Sequence, residues 1–95
     1  MSTSTIVKKY PGKSADEIFT KVDEAMRGLA ARHGLDYRKD DGARAGSVSK
    51  MGAHGAYAVH EGQVSVELKF PMLVPGSMRK KVEEDIERKL EQLFA

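Results

Sequence analysis

Apolar residues recur every three or four positions near the start of the chain, which predicts an amphipathic helix over residues 14–33. Ser14 and Glu17 have the spacing of a capping box at the helix start, and Gly34 is a typical residue to end a helix. A helix with one apolar face is expected to pack on a sheet or on another helix. The apolar face consists of Ile18, Val22, Ala25, Met26, Leu29 and Ala30.

A second helical pattern covers residues 77–93. On its outer face, Arg79 precedes Glu83 and Lys80 precedes Glu84 by one helical turn, a spacing that stabilises an exposed helix surface. The helix is therefore predicted to bury one side only. Its apolar stripe consists of Met78, Val82, Ile86, Leu90, Leu93 and Phe94.

Between the two helices, apolar and polar residues alternate as they do in strands. Residues 56–60 and 64–70 are joined through Glu61 and Gly62, which predicts a hairpin with a tight turn at those two residues. The predicted pairs are Tyr57 with Val66 and Val59 with Val64, with Leu68 and Phe70 continuing the same face.

Shorter strand patterns cover residues 3–10, 35–39 and 47–51, with a turn signal at 40–42. The resulting order is β-α-β-β-β(-β)-α. Two amphipathic helices and one half-apolar sheet predict an α+β fold, a two-layer sandwich in which two helices cover one face of an antiparallel sheet. Residues 1–95 are interpreted as a single domain.

Composition and charge argue against several classes of function. The 95 residues carry 16 basic and 14 acidic side chains, for a net charge of +2, so bulk charge does not indicate nucleic-acid binding. The sequence contains no cysteine, which excludes disulfides, thiolate nucleophiles and cysteine metal sites. There is no apolar run near the ~18 residues of a membrane span and no secretory pattern at the start. A cytoplasmic protein is expected.

Candidate catalytic residues are few. His33 is predicted to pack or cap at the end of the first helix, His54 to lie in a glycine-flanked turn, and His60 to end a strand. Their spacing matches no zinc pattern, and the serines and acidic residues form no nucleophile motif. We therefore predict no catalytic residues, no metal, no cofactor and no enzyme activity. The glycines that might suggest a phosphate loop are predicted instead to turn short strands: Gly42, Gly46, Gly52 and Gly55.

The segment FPMLVPG is the main functional candidate, because prolines on both sides of three bulky apolar residues oppose regular strand pairing. We expect two of the three to close the core, leaving one residue and the basic turn of MRKK for a partner. The candidate partner surface consists of Met72, Leu73, Val74, Arg79, Lys80 and Lys81.

Several segments together resemble one family. The helix EIFTKVDEAMRGLAARHGLDYR, the strand segment GAHGAYAVHEGQVSVEL and the stretch VSVELKFPMLVPG through MRKKVEEDIERKLEQLFA resemble the small polyhydroxyalkanoic acid system proteins of bacteria. The resemblance covers nearly the whole chain. It implies a non-enzymatic accessory protein associated with polyhydroxyalkanoate granules, which binds a hydrophobic surface or a granule protein.

Two other functions stay open. A long helix held against a curved sheet is similar to a reduced helix-grip fold, which would carry a lipid or acyl ligand, although the short chain leaves little room for a cavity. The element order also describes RNA- or ribosome-associated domains, which the near-neutral charge and the lack of an exposed aromatic pair disfavour. An exposed edge strand would also permit a homodimer.

Overall fold

The computed structural model describes residues 2–94. It contains one five-stranded sheet and two helices, in the predicted order. The elements are β1 (Ser2–Lys9), α1 (Ala15–His33), β2 (Asp36–Asp40), β3 (Ala45–Lys50), β4 (Ala53–His60), β5 (Gln63–Phe70) and α2 (Gly76–Gln92).

The sheet has the order β1-β5-β4-β3-β2, and every neighbouring pair is antiparallel. Strands β2 to β5 form consecutive hairpins, and β1 lies beside β5 at one edge. Both helices bury their apolar residues against the same face of the sheet. The predicted α+β two-layer sandwich is confirmed, and β2 and β3 lie within one or two residues of their predicted positions.

The residues that were predicted to begin and end α1 do so. The Ser14 hydroxyl accepts from the backbone N–H of Glu17 while the Glu17 carboxylate accepts from the backbone N–H of Ser14. At the other end, Gly34 adopts the left-handed conformation (φ 65°), and its N–H donates to Ala30 O. Asp16 in the first turn and Arg32 in the last complement the helix dipole.

The β4–β5 hairpin has the predicted register, with Tyr57 opposite Val66 and Val59 opposite Val64. Gly62 takes a positive φ of 74° at the turn. Glu67 is exposed on the face away from the helices. A one-residue slip would place this carboxylate in the core, which explains why the apolar pattern specifies the register. The core that forms against the helices includes Ile18, Val22, Met26, Tyr57, Val59, Val64, Val66, Leu68, Phe70, Ile86 and Leu90.

Helix α2 buries fewer of its apolar residues than predicted. Only Ile86 and Leu90 are fully buried in it, while Val82 is partly buried against the core. Met78 was predicted to belong to the apolar stripe, but its side chain is 56% exposed. The reason is position: Met78 lies in the first turn of α2, next to the β5–α2 loop, where the helix has not yet reached the core.

The glycine prediction is half right. Gly42 and Gly52 lie in turns, but Gly46 and Gly55 lie inside β3 and β4. At Gly46 a Cβ atom would come within 2.5 Å of the Tyr57 ring, so this glycine makes room for a tyrosine from the neighbouring strand.

Candidate functional site

The FPMLVPG loop is mostly exposed, so the expectation that two of its three bulky residues close the core is wrong. Met72 is 84% exposed and Leu73 95% exposed, whereas Val74 packs against the core. The backbone explains the difference, because Val74 N donates to Pro71 O (3.1 Å) and closes a turn. Met72 and Leu73 are the two central residues of that turn, where side chains point away from the protein.

A second turn lies against this loop. The β3–β4 hairpin turns at Met51 and Gly52, and a Cβ atom at Gly52 would lie 3.2 Å from the Cγ atom of Pro71. Met51 is 90% exposed. Sequence reasoning missed this residue, although a methionine next to a glycine between two strand patterns is a signal that could have been noticed.

Met51 also has an unfavourable backbone conformation. It adopts φ 49° and Gly52 adopts φ 88°, which is the two-residue hairpin turn that favours Asn-Gly. A left-handed conformation costs an ordinary L-residue roughly 1–2 kcal/mol. Since the Met51 side chain buries almost nothing, no packing within the described residues offsets this cost.

Four exposed apolar residues at this end of the molecule together make up what we call the methionine tip: Met51, Met72, Leu73 and Met78. They lie at the same end of the sheet, where β3 and β5 end, β4 begins and α2 begins. The tip accounts for four of the five large hydrophobic residues that are exposed among residues 2–94, with Val7 the fifth. Exposed apolar residues scattered singly over a surface are common, but a cluster is typical of an interaction site.

The start of α2 places positive charge beside the tip. Pro75 at the N-cap provides no side-chain hydrogen bond, and the first turn contains no acidic residue. Lys80 and Lys81 are exposed, while Arg79 is half-buried. Because the N-terminus of a helix already carries a partial positive charge, these side chains add to a field that attracts anions. The predicted basic cluster is thus brought next to Met72 and Leu73.

Other cations lie at the same end of the molecule. Arg32 is in the last turn of α1, Lys50 ends β3, and Lys69 is next to the last residue of β5. Lys50 Nζ donates to His33 O (2.7 Å), and Lys69 Nζ lies 3.6 Å from a Glu67 carboxylate oxygen. Asp36 at the start of β2 is an acidic residue in this region. The surroundings of the methionine tip are therefore predominantly basic.

The histidines lie apart from one another. His33 is exposed, so the packing half of its prediction is wrong, but it lies in the last turn of α1, as a capping residue would. Its carbonyl group accepts from Lys50. His54 lies in β4 and not in a turn, and His60 ends the same strand as predicted. Six residues along a strand separate two side chains by roughly 20 Å, which is too far for His54 and His60 to share one metal ion. Among residues 2–94, no three His, Asp or Glu side chains are grouped as metal ligands.

A polar network around the buried Asp23 carboxylate joins α1 to the sheet. Tyr37 Oη donates to Asp23 Oδ1 (2.7 Å) and lies 2.6 Å from Tyr57 Oη. Arg27 and Lys39 approach the other carboxylate oxygen, at 3.0 and 3.6 Å. None of these residues belongs to the methionine tip or lines either of the two clefts beside α2, and the network connects α1 to β2 and β4.

Electrostatics keep the Asp23 carboxylate charged. Burial by itself raises the pKa of Asp23, but the hydrogen bond from Tyr37 and the charges of Arg27 and Lys39 together lower this pKa below its ordinary value. The pKa of Tyr37 is raised, first by burial and then by its hydrogen bonds to Tyr57 and Asp23. The network therefore consists of an anion with neutral tyrosine donors.

Two shallow clefts flank α2. One, of about 320 Å³, lies between the helices. The other, of about 200 Å³, lies between β1 and α2. Charged side chains contribute to both linings, which does not suit an apolar ligand. The lining residues are Lys21, Glu24, Ala25, Lys89, Gln92 and Leu93 for the first, and Ile6, Val7, Lys8, Glu87, Leu90 and Glu91 for the second.

The fold defines an α+β protein with helices on one face of an antiparallel sheet, and a solved structure has a similar fold. A crystal structure of a TBP-like protein from Parabacteroides distasonis ATCC 8503 matches with a TM-score of 0.61 at 9% identity. The match covers 75% of this chain and 58% of that protein, so the chain spans little more than half of its length. At this identity the likeness concerns the fold alone.

The family is shown by the sequence. The model of the family described as "Putative polyhydroxyalkanoic acid system protein" matches residues 7–94, and the chain belongs to this family. The predicted resemblance is confirmed. No curated protein matches the chain significantly. In the part of the chain that the structure describes, neither helix is long and apolar enough to cross a lipid bilayer.

Proposed function

We propose that this chain is a non-enzymatic accessory protein of the polyhydroxyalkanoate system that binds the surface of the polyester granule through its methionine tip. Membership of the family supports the polyhydroxyalkanoate system. The exposure of Met72 and Leu73 at the centre of a proline-flanked turn carries the proposal for the contact. The carrier and RNA-binding alternatives remain predictions, since no contact in the described residues favours either.

The chemistry of the tip suits a polymer surface. Methionine side chains are unbranched and polarizable, so they adapt to irregular apolar surfaces. Fully burying one large apolar side chain contributes about 1.5–3 kcal/mol, so a few such contacts would support reversible adsorption. The strained turn at Met51 also fits this proposal, since the cost of its backbone would be offset by contacts made outside the protein.

The cations add a second attractive contribution. A polyester presents ester oxygens and carboxylate chain ends, and Lys80 and Lys81 are exposed close to the tip. Exposed charges are screened beyond about 10 Å at 0.1 M salt, whereas apolar burial persists at high salt. The two contributions can therefore be separated by ionic strength.

The apolar contribution is tested with Leu73→Ser and Met72→Ser, measured by co-sedimentation with protein-free poly(3-hydroxybutyrate) particles. Both variants should bind more weakly at every salt concentration, and because the side chains are exposed, the Tm should stay close to that of the wild type. Leu73→Met, which keeps an apolar side chain at the same position, serves as the control and should bind nearly normally. Unchanged binding by both folded serine variants would reject the tip as the contact.

The charge contribution is tested with the double variant Lys80→Glu, Lys81→Glu. Particle binding should weaken mainly at low ionic strength and recover toward the wild-type value as salt is added. The matched control is Lys21→Glu with Arg38→Glu, which changes the net charge equally at exposed positions away from the tip. Equal weakening by both pairs would show that only net charge matters and would reject a local basic site.

A further inference from the structure

The outer edge of β1 has no neighbouring strand among residues 2–94, and its backbone groups point in a defined pattern. Tyr10 N donates to Gly62 O (2.7 Å), immediately beyond the β1–β5 ladder. In an antiparallel ladder, hydrogen-bonded pairs alternate with non-hydrogen-bonded pairs. The even-numbered residues of β1 therefore bond to β5, and the residues whose N–H and C=O groups point to the free edge are Thr3, Thr5, Val7 and Lys9.

The two edge strands of the sheet differ in how strongly they resist pairing with a strand from another chain. The edge strand β2 is five residues long and carries charge at four of them. The edge strand β1 is eight residues long and carries no charge before Lys8. Short, charged edge strands resist pairing with other chains, whereas long, uncharged, β-branched ones favour it. Val7, half exposed on β1, is the large apolar residue that lies outside the methionine tip.

The helix side of this edge adds a recognition element. The cleft between β1 and α2 is lined by Ile6, by the carboxylate side chains of Glu87 and Glu91, and by Lys8, whose Nζ lies 3.8 Å from Glu91. Glu83, one turn earlier on α2, accepts a hydrogen bond from the Ser4 hydroxyl. A strand added here would thus face an apolar residue with acidic residues around it, and would fit best with an apolar side chain and a lysine two positions apart.

We propose that a second copy of this chain occupies the edge, with the two β1 strands antiparallel about a two-fold axis at Ile6. Thr3 would then pair with Lys9 of the second copy, and Thr5 with Val7, so that all the outward-pointing backbone groups are used. On the helix side, Ile6 meets Ile6, and Lys8 lies opposite Ser4 and its partner Glu83. No lysine faces a lysine. A two-fold axis at Thr5 would leave the backbone groups of Lys9 without a partner in β1.

This dimer is independent of the proposed function. Because the strands run antiparallel, the two methionine tips would lie at opposite ends of the dimer. One contribution opposes association: the Glu87 side chains of the two copies, which line the cleft beside Ile6, approach the axis together. The variant Glu87→Gln should therefore bind its own copy more tightly than the wild type does.

Amide hydrogen exchange on the wild-type protein tests the pairing without any substitution. At low concentration, the even-numbered amides of β1 should be protected and those of Thr3, Thr5, Val7 and Lys9 should exchange freely. At high concentration, the odd-numbered amides should gain protection as sedimentation shows a dimer. Odd-numbered amides that stay unprotected at all concentrations would overturn the proposal, whether the protein is a monomer or dimerises elsewhere.

Substitutions then test the edge and the register. Thr5→Pro removes an N–H that points to the edge and not to β5, so the dimer should be lost while far-UV circular dichroism and Tm show a folded monomer. Thr5→Val, which keeps the N–H, should still dimerise. If Thr5→Pro does not fold, Val7→Lys provides the same test by adding a charge to the edge. A folded Thr5→Pro or Val7→Lys variant that dimerises as the wild type does would overturn the proposal.

The absence of cysteine from the chain allows a direct test of the two-fold position. Ile6→Cys should form a disulfide between copies under mild oxidation, because directly opposed residues of a non-hydrogen-bonded pair lie within disulfide distance. Lys8→Cys, on the same strand and face, should not, since it faces Ser4 of the second copy. Cross-linking of Lys8→Cys but not Ile6→Cys, or a Glu87→Gln dimer no tighter than wild type, would overturn this register.

Discussion

The two helices cover the same sheet face but differ in how they are capped and in how many of their residues are buried. Helix α1 has a complete capping box, a left-handed glycine at its end, and buried residues from Ala15 to Ala30. Helix α2 begins after a proline without a side-chain cap, has no acidic residue in its first turn, and buries only Ile86 and Leu90 fully. The difference teaches that α1 contributes to the core along its length, whereas the first turns of α2 are mostly exposed.

The polar contacts of the two helices differ as well. The buried Asp23 of α1 interacts with the half-buried Tyr37 and with the exposed Arg27 and Lys39. Helix α2 accepts a buried hydrogen bond at Leu90 O from Tyr10 Oη (2.5 Å), directly after β1, but its contacts with β1 itself involve exposed or half-buried groups, such as the 3.8 Å pair of Lys8 and Glu91. Exposed ion pairs contribute little to stability, whereas a buried carboxylate that loses its donors costs much more. The start of α2 can therefore vary in sequence with less effect on stability than α1 can.

The largest expected effect is on the free energy of unfolding, when an apolar residue near the start of each helix is truncated. These residues are Ile18 in α1 and Met78 in α2. Ile18 of α1 is fully buried, and Ile18→Ala should lower the free energy of unfolding by about 2–5 kcal/mol. Met78 of α2 is 56% exposed, and Met78→Ala should cost under about 1 kcal/mol. Urea denaturation of both variants checks the comparison. Equal losses would show that the start of α2 supports the core as much as α1 does.

The second prediction concerns the buried Asp23 carboxylate of α1 and how its contribution to stability depends on pH. Because the pKa of Asp23 is lowered in the folded protein, its stabilising contribution is fully present above the unfolded pKa of about 3.9 and is lost as pH falls through the lower folded value. Asp23→Asn should therefore cost about 1–3 kcal/mol near neutral pH, and the difference from the wild type should shrink in acid.

The measurement for this prediction is urea denaturation of the wild type and Asp23→Asn over a series of pH values. Glu24→Gln, at the exposed neighbouring position, is the control and should change stability little at any pH. A stability difference between wild type and Asp23→Asn that stays constant into strong acid would contradict an anionic Asp23 carboxylate.

The smallest expected effect is on stability, when α2 is given an acidic residue in its first turn, as α1 has. Ser77→Asp places an acidic residue in the first turn of α2, and interaction with the helix dipole should raise the free energy of unfolding by about 0.3–1 kcal/mol. The same substitution should weaken polyester binding at low salt, because it reduces the positive field beside the tip. Ser77→Asn, which adds no charge, separates the effect of the carboxylate from that of side-chain shape. A carboxylate that stabilises the helix and leaves low-salt binding unchanged would contradict a role for this field.

Much of the fold follows from local pattern alone. The limits of α1 follow from Ser14, Glu17 and Gly34, whose hydrogen bonds involve only near neighbours in the chain. The register of the β4–β5 hairpin follows from its two-residue turn and from alternation, since a slip of one residue would bury Glu67 and expose Val66. The basic cluster at the start of α2 and the family resemblance also depend on contiguous residues.

The remaining features depend on segments that meet only in the folded protein. Met51 lies beside the turn that exposes Met72 and Leu73 only because Gly52 packs beside Pro71, a residue from a distant part of the sequence. The contact between Tyr57 and Tyr37 requires the space that Gly46 leaves on the strand between them, which no local spacing reveals. Local patterns specify elements because hydrogen bonds and side-chain periodicity act over a few residues. Exposure and long-range contacts were decided by tertiary structure, because they depend on the packing of elements that are far apart in the sequence.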